Sequence, residues 1–495
     1  MTFDIVIVGS GAGGGTMAHA LASSGARILL IERGESVPQE PENWSPEAVW
    51  KFKRYQTTER WIDDRGESFA PYTHYNVGGN TKFWGSVLYR MRRSDFEVTE
   101  HLDGTSPAWP ISYDTLAPYY DRAEHLFQVH GGPGDPTEPE GHTFPFGPVP
   151  HAPGMSKIVE DLTRMGLHPS PLPLGLIRPG ESGGCILCNT CNSFPCRIHA
   201  KSDAEVCCVE PAAQYSNVEI WTGAKAERLL TDPTGRRVEA VMVSRGSETL
   251  RVTADRVVIS CGAVNSAALL LASANDQYPN GLANSSGLVG ARYMAHLATM
   301  MQGFHPARRN ADVFQKTVAI NDFYHSGPGT RFPLGQIQSQ GRTHGVMAQS
   351  VVPWIPLWAY DAWVARGVDW LVMSEDLPKL DNRVRVDAQG RIHLHYRPNN
   401  TRAHGMLVGQ MKRILQKLGF WITVAHSHKN KNTTHQCGTL VFGTNPETSV
   451  LDPLCKAHDL DNLYVVDASF FPSSAAVNPA LTIIAQALRV ADHLK

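Results

Sequence analysis

A chain of 495 residues is too long for one simple core, and two domains are the expectation. Its 42% hydrophobic content is ordinary for a soluble globular protein, and a formal net charge of −2 argues against nucleic acid or an anionic membrane as main partner. No apolar run approaches the roughly 18 residues that cross a bilayer.

The N-terminus, MTFDIVIVGSG, enters a strand at once and lacks the charged start and cleavage site of a signal peptide. A cytoplasmic location is expected, with the nine cysteines kept as thiols or ligands rather than disulfides. Phe3 to Val8 reads as a buried strand, Gly9-x-Gly11-x-x-Gly14 as a turn, and Thr16 to Ser23 as a helix. Ile28 to Ile31 makes a second strand that ends at Glu32. The first glycine permits the tight turn, the second lets backbone approach a pyrophosphate, and the third lets helix pack on strand. Glu32, about 20 residues on, suits a ribose diol. The order of these parts predicts a dinucleotide site, NAD or FAD.

Further along, GGCILCNTCNSFPC places Cys185, Cys188, Cys191 and Cys196 at spacings C-x2-C-x2-C-x4-C. Such density suggests an iron–sulfur cluster or zinc, but no histidine or paired context supports it, and a packed thiol loop is the favoured reading. No metal ligand is therefore assigned. Ala254 to Ser273 reads as another strand, turn and helix. In GQIQSQG, Gln336, Gln338 and Gln340 alternate, which puts three amides on one strand face, fit for sugar hydroxyls or for solvent. Trp354, Trp358, Trp363 and Trp370 read as a lid or pocket wall, with helical core packing the alternative. A helix is expected from Met406 to Leu418. Leu463 to Leu494 closes the chain as strand, acidic turn at Asp467, and helix, with Asn478 at the cap and Pro479 in the first turn. Strand units at both ends of the chain favour FAD and a discontinuous cofactor domain.

The glycine fingerprint, NVGGNTKFWG (76–85), HQCGTLVFG (435–443) and the closing VVDASFFPSSAAVNPALT resemble the glucose–methanol–choline oxidoreductase family. AWPISYDTLAPYYDRAE (108–124) is similar in style to its pyranose oxidase and bacterial glycoside 3-oxidase branch. The resemblance implies an α/β fold: a Rossmann-like FAD-binding domain (1–100, 195–300 and 431–495) and a substrate domain on a mostly antiparallel sheet (101–194 and 301–430). It implies FAD contacts from Gly9, Gly11, Gly14, Glu32, Gly79, Asn80, Asp467, Asn478 and Pro479. His435 is implied as the base and Asn478 as its neighbour against the flavin. The last helix would there stabilise the charge that grows on reduction. Where pyranose oxidases carry a flavin-linking histidine this chain has Phe83, so FAD is expected without a covalent link.

The expected reaction is oxidation of a ring hydroxyl of a sugar or glycoside, at C3, to a ketone, with oxygen or a quinone as acceptor. A separate enzyme would then eliminate the aglycone from the product. A dehydrogenase that passes electrons through a cysteine-bound cluster to a protein partner is one alternative, and a non-redox lyase on the same fold is another.

Overall fold

The apolar run at the N-terminus forms strand Thr2–Val8 in the middle of a seven-stranded sheet. Ile28–Ile31 lies parallel on one side and Glu248–Ile259 parallel on the other, with Ile5 opposite both Ile28 and Arg256. Val218–Trp221 extends one flank, and Leu463–Val465 joins the end of Glu248–Ile259. Aliphatic runs such as ILLI, buried throughout, suit parallel strands covered on both faces. Helices Ala12–Leu21 and Ala480–Leu494 pack together on this sheet, and Ala224–Thr231 and Val238–Arg245 continue it as an antiparallel arm. The computed structural model describes residues 1–427 and 431–495, and of Val351 the backbone only. No described helix is long and apolar enough to cross a membrane.

A second sheet has six strands, antiparallel throughout, in the order Ile422–Ser427, Leu297–Phe304, Gly367–Ser374, Gln336–Ser339, Val318–Ile320, Pro169–Pro171. The period-2 alternation of strands gives this sheet two unlike faces. Met301, Ile337 and Trp370 point into a core shared with Leu407, Met411 and Leu415 of helix Thr401–Lys417. Their neighbours Met300, Gln338 and Leu371 point the other way, into a cavity. The helix expected from Met406 thus starts five residues earlier, after Asn400, whose left-handed backbone sets the turn into it. The fold is the α/β arrangement expected, a Rossmann-like start with an antiparallel sheet beside it.

Candidate active site

A cavity of about 880 Å³ runs from the glycine turn to the antiparallel sheet. Gly9 has φ +98°, and a Cβ on it would lie 2.3 Å from the Ser260 carbonyl oxygen. A Cβ on Gly14 would lie 1.8 Å from the Gly9 carbonyl oxygen, so only glycine lets the helix sit this close to the strand. At Gly11 the nearest atom to a Cβ is Gly78 O at 4.0 Å; here the backbone faces open space. Gly79, at φ +55°, brings a second glycine loop against Gly11 from the far side. Two backbone loops beside a helix N-terminus fit a pyrophosphate.

Glu32 borders the cavity at one end, its carboxylate accepting from Ser10 N, Ser10 Oγ (2.7 Å) and Gly34 N (3.0 Å). Burial raises its pKa against those hydrogen bonds. Asn80 Oδ1 accepts from His74 N at 2.8 Å and pins the second loop. Asp467 accepts from Gly262 N, Ser266 Oγ and Ser469 N, and it too borders the cavity. Phe83 borders it as well, stacked on the His74 ring at 3.8 Å between centroids.

The other end is built from histidines. His296 Nε2 lies 3.1 Å from the Ser474 carbonyl oxygen, and His296 Nδ1 lies 2.9 Å from His435 Nδ1. A carbonyl oxygen can only accept, so His296 carries its proton on Nε2 and offers a lone pair at Nδ1. His435 therefore donates from Nδ1 and keeps a lone pair on Nε2. Burial holds both rings neutral, with pKa values pushed down to about 3 for His435 and about 4 for His296; the neighbouring His296 and Lys316 add to the effect on His435. Asn478 lies on the same cavity, and its amide makes no hydrogen bond among the described residues, with Oδ1 buried. The expected cap role of Asn478 is not found. Helix Ala480–Leu494 starts one residue later, with Pro479 at the cap and no capping side chain. The displaced Asn478 amide is left to the cavity.

Comparison with known proteins settles the kind of molecule this is. The sequence profile of GMC oxidoreductases matches residues 75–298 and 381–487, and that of the NAD(P)-binding Rossmann-like domain matches 7–38. Paromamine 6'-oxidase of Streptomyces fradiae is 31% identical, over 99% of this chain and 90% of its own. The chain belongs to the GMC oxidoreductase family. The 6'''-hydroxyparomomycin C oxidase of Streptomyces lividus is 29% identical over 99% of this chain and 92% of its own. In fold, pyridoxine 4-oxidase from Mesorbium loti superposes with a TM-score of 0.70 at 20% identity, covering 99% of this chain and 98% of that one. The similarity reaches the family and an FAD-dependent oxidoreductase, not the pyranose oxidase or glycoside 3-oxidase branch in particular.

In this GMC oxidoreductase Gln338 and Gln340 border the cavity, and Gln336 does not. Gln336 is buried with both amide atoms unpartnered among the described residues, one strand step beyond the cavity. None of the four tryptophans borders the cavity. Trp354 and Trp358 are exposed, Trp363 packs edge-on against Phe304, and Trp370 is in the core behind the sheet. They are not a pocket wall. The helical-core alternative holds for none of them either, since Trp354, Trp358 and Trp363 are all exposed and Trp370 is on a strand.

The cysteine loop supplies pocket atoms of another kind. Among the described residues no three His, Cys, Asp or Glu side chains converge to hold a metal ion. Burial pushes the Cys185 thiol up to about 12, so it stays protonated. Between Cys191 and Phe194 the loop places Asn192 and Ser193 on the cavity. Lys201 Nζ donates to the carbonyls of Lys82, Trp84, Cys191 and Phe194, tying this loop to the glycine loop. Sequence reasoning missed His296, Asn192 and Lys316. Each sits in an unremarkable local context, and only its partner, far away in the chain, marks it.

Proposed function

We propose that this chain oxidises a hydroxyl group of a sugar or glycoside, with His435 as the base and Asn478 beside it, and that oxygen or a quinone takes the electrons. The observation that carries this reading is the hydrogen-bond chain Ser474–His296–His435, which leaves a neutral imidazole with its lone pair toward the cavity. Removal of the hydroxyl proton makes hydride loss from the carbinol carbon easy, and a positioned neutral imidazole suits that task. FAD, when bound, supplies the hydride acceptor. Gly9, Gly11, Gly14, Gly79 and Asn80 are proposed to hold its pyrophosphate, Glu32 its ribose and Asp467 its linker, while Asn478 and Pro479 meet its ring at the start of the last helix. Gln338 and Gln340 are proposed to meet sugar hydroxyls, in a substrate part formed by 101–194 and 301–430 beside an FAD-binding part formed by 1–100, 195–300 and 431–495.

The position oxidised has two readings. The style of segment 108–124 favours a ring hydroxyl at C3, which yields a ketone. The 31% identity to a paromamine 6'-oxidase favours a primary hydroxyl, which yields an aldehyde. Anaerobic mixing of the holoenzyme with free sugars, O-glycosides and C-glycosides tests the reading, followed by identification of the product carbonyl by NMR. Bleaching of the flavin is expected; a flavin that no sugar bleaches would favour the lyase alternative, and bound iron with acid-labile sulfide would favour the cluster dehydrogenase.

Attachment of the cofactor follows from Phe83, whose ring cannot bond to flavin. Acid denaturation should release free FAD into the supernatant. Colour that stays with the precipitate would overturn this, and His74, stacked on Phe83, is the first residue to examine for the added mass.

A further inference from the structure

Three lysines are fully buried among the described residues, Lys82, Lys201 and Lys316, and they are not equivalent. Lys82 is paired with Asp203 and Glu205. Lys201 gives its ammonium to four backbone carbonyls and does not border the cavity. Lys316 borders it, beside Gln338 and Gln340. Its Nζ donates to Gly85 O at 2.6 Å and to Asn192 Oδ1 at 2.5 Å, and Asn192 in turn donates to Gln340 Oε1. Two acceptors leave one N–H of the ammonium unspent. The position is built for this group, because a Cβ on Gly85 would fall 1.6 Å from Lys316 Nζ.

The hydrogen-bond partners of Lys316 Nζ among the described residues are Gly85 O and Asn192 Oδ1, neither of them a carboxylate. The acidic groups on the cavity (Glu32, Glu59, Glu227 and Asp467) come from the segments that form the nucleotide end. A buried cation without a counter-ion is costly, and proteins pair such charges or supply the partner with a ligand. We infer that Lys316 selects substrates by charge: the site prefers a sugar that carries a carboxylate, accepts neutral sugars less well, and discriminates against amino sugars. This rests on the reading of the site as a sugar site. It separates the chain from what the name of its paromamine-oxidising relative would suggest, since an ammonium group on the substrate would meet an ammonium group on the wall.

Burial pushes the Lys316 pKa down to about 7, with Lys201 pushing the same way and Cys191 opposing. His435 also lies within electrostatic reach, but it is neutral over this range. Lys316 is therefore charged below neutrality and loses its proton above it, so the charge preference is greatest on the acid side. A bound carboxylate holds the proton on, and its binding near neutrality takes up a proton.

The test uses holoenzyme and three matched probes: methyl glucoside, methyl glucuronide and the methyl glycoside of glucosamine. Binding is measured by calorimetry, on the acid and the alkaline side of neutrality, without reference to turnover. The glucuronide is expected to bind about 10- to 100-fold more tightly than the glucoside on the acid side, the worth of a charge-assisted hydrogen bond, and the amino sugar more weakly than either. The gap narrows on the alkaline side. Lys316→Gln keeps an N–H for Gly85 and removes the charge; it should abolish the preference whatever it does to melting temperature. A purely structural Lys316 would instead change all three affinities together. Equal binding of the probes, tighter binding of the amino sugar, no binding of any, or a preference that survives in Lys316→Gln would overturn the inference. Sugars that bind with the expected order but never bleach the flavin would overturn the oxidation reading alone.

Discussion

The two ends of the cavity are made in opposite ways. At the proposed nucleotide end backbone lines the cavity: Gly9, Gly11 and Gly79 bring main chain to it because they lack side chains, and most of them sit within one short segment. At the proposed reacting end the cavity is lined by side chains, and their partners arrive from segments far apart. His296 meets His435 across 139 residues, and Lys316 meets Asn192 across 124. A backbone site is encoded locally, since a turn and a helix start need only their own sequence. A side-chain site of this kind exists only after the sheets have packed.

Removing the base should have the largest effect. His435→Ala is expected to slow anaerobic flavin reduction by about 10²- to 10⁴-fold, while FAD content stays near one per chain. Wild-type reduction in that variant would place the base elsewhere. His296→Phe tests the positioning of that base. It leaves the His435 Nδ1–H without its acceptor, an omission worth about 1–3 kcal/mol, so reduction should slow by about ten- to a hundredfold. Its pH profile should also change, because the ring of His435 is then free to take the other tautomer; an unchanged rate and profile would remove His296 from the account. At the opposite end, Gly14→Ala forces a methyl against the Gly9 carbonyl and should cost about 1–3 kcal/mol of stability, read as a lower melting temperature and weaker FAD retention. A variant as stable as wild type would show that the helix can shift without harm.

The same contrast explains what could be read from the sequence. The strand, turn, helix and acid from Phe3 to Glu32 were legible because apolar runs and glycines fix local geometry. The closing strand and helix were legible too, except at their junction: Asn478 looks like a cap by residue type, yet Pro479 takes the cap position. Alternation predicts Gln336, Gln338 and Gln340 on one strand face; the strand ends at Ser339, Gln338 and Gln340 border the cavity, and Gln336 does not. The tryptophan spacing carried no direction at all. His296 is one of 21 histidines and has no local signature; its meaning is the Ser474 carbonyl on one side and His435 on the other.

The proposed role of His435 is that of a neutral base held in one tautomer. The pH dependence of the anaerobic flavin reduction rate, measured with a saturating neutral glucoside, tests it most directly. Imidazole ordinarily gains its proton near pH 6.5, and a base so protonated is lost to catalysis. Burial pushes the His435 value down to about 3, so the lone pair remains available well into the acid range. The rate should stay level from alkaline pH down to about pH 5 and fall only below that. A rate that drops tenfold per unit of acidification starting at or above about pH 6.5 would contradict the account.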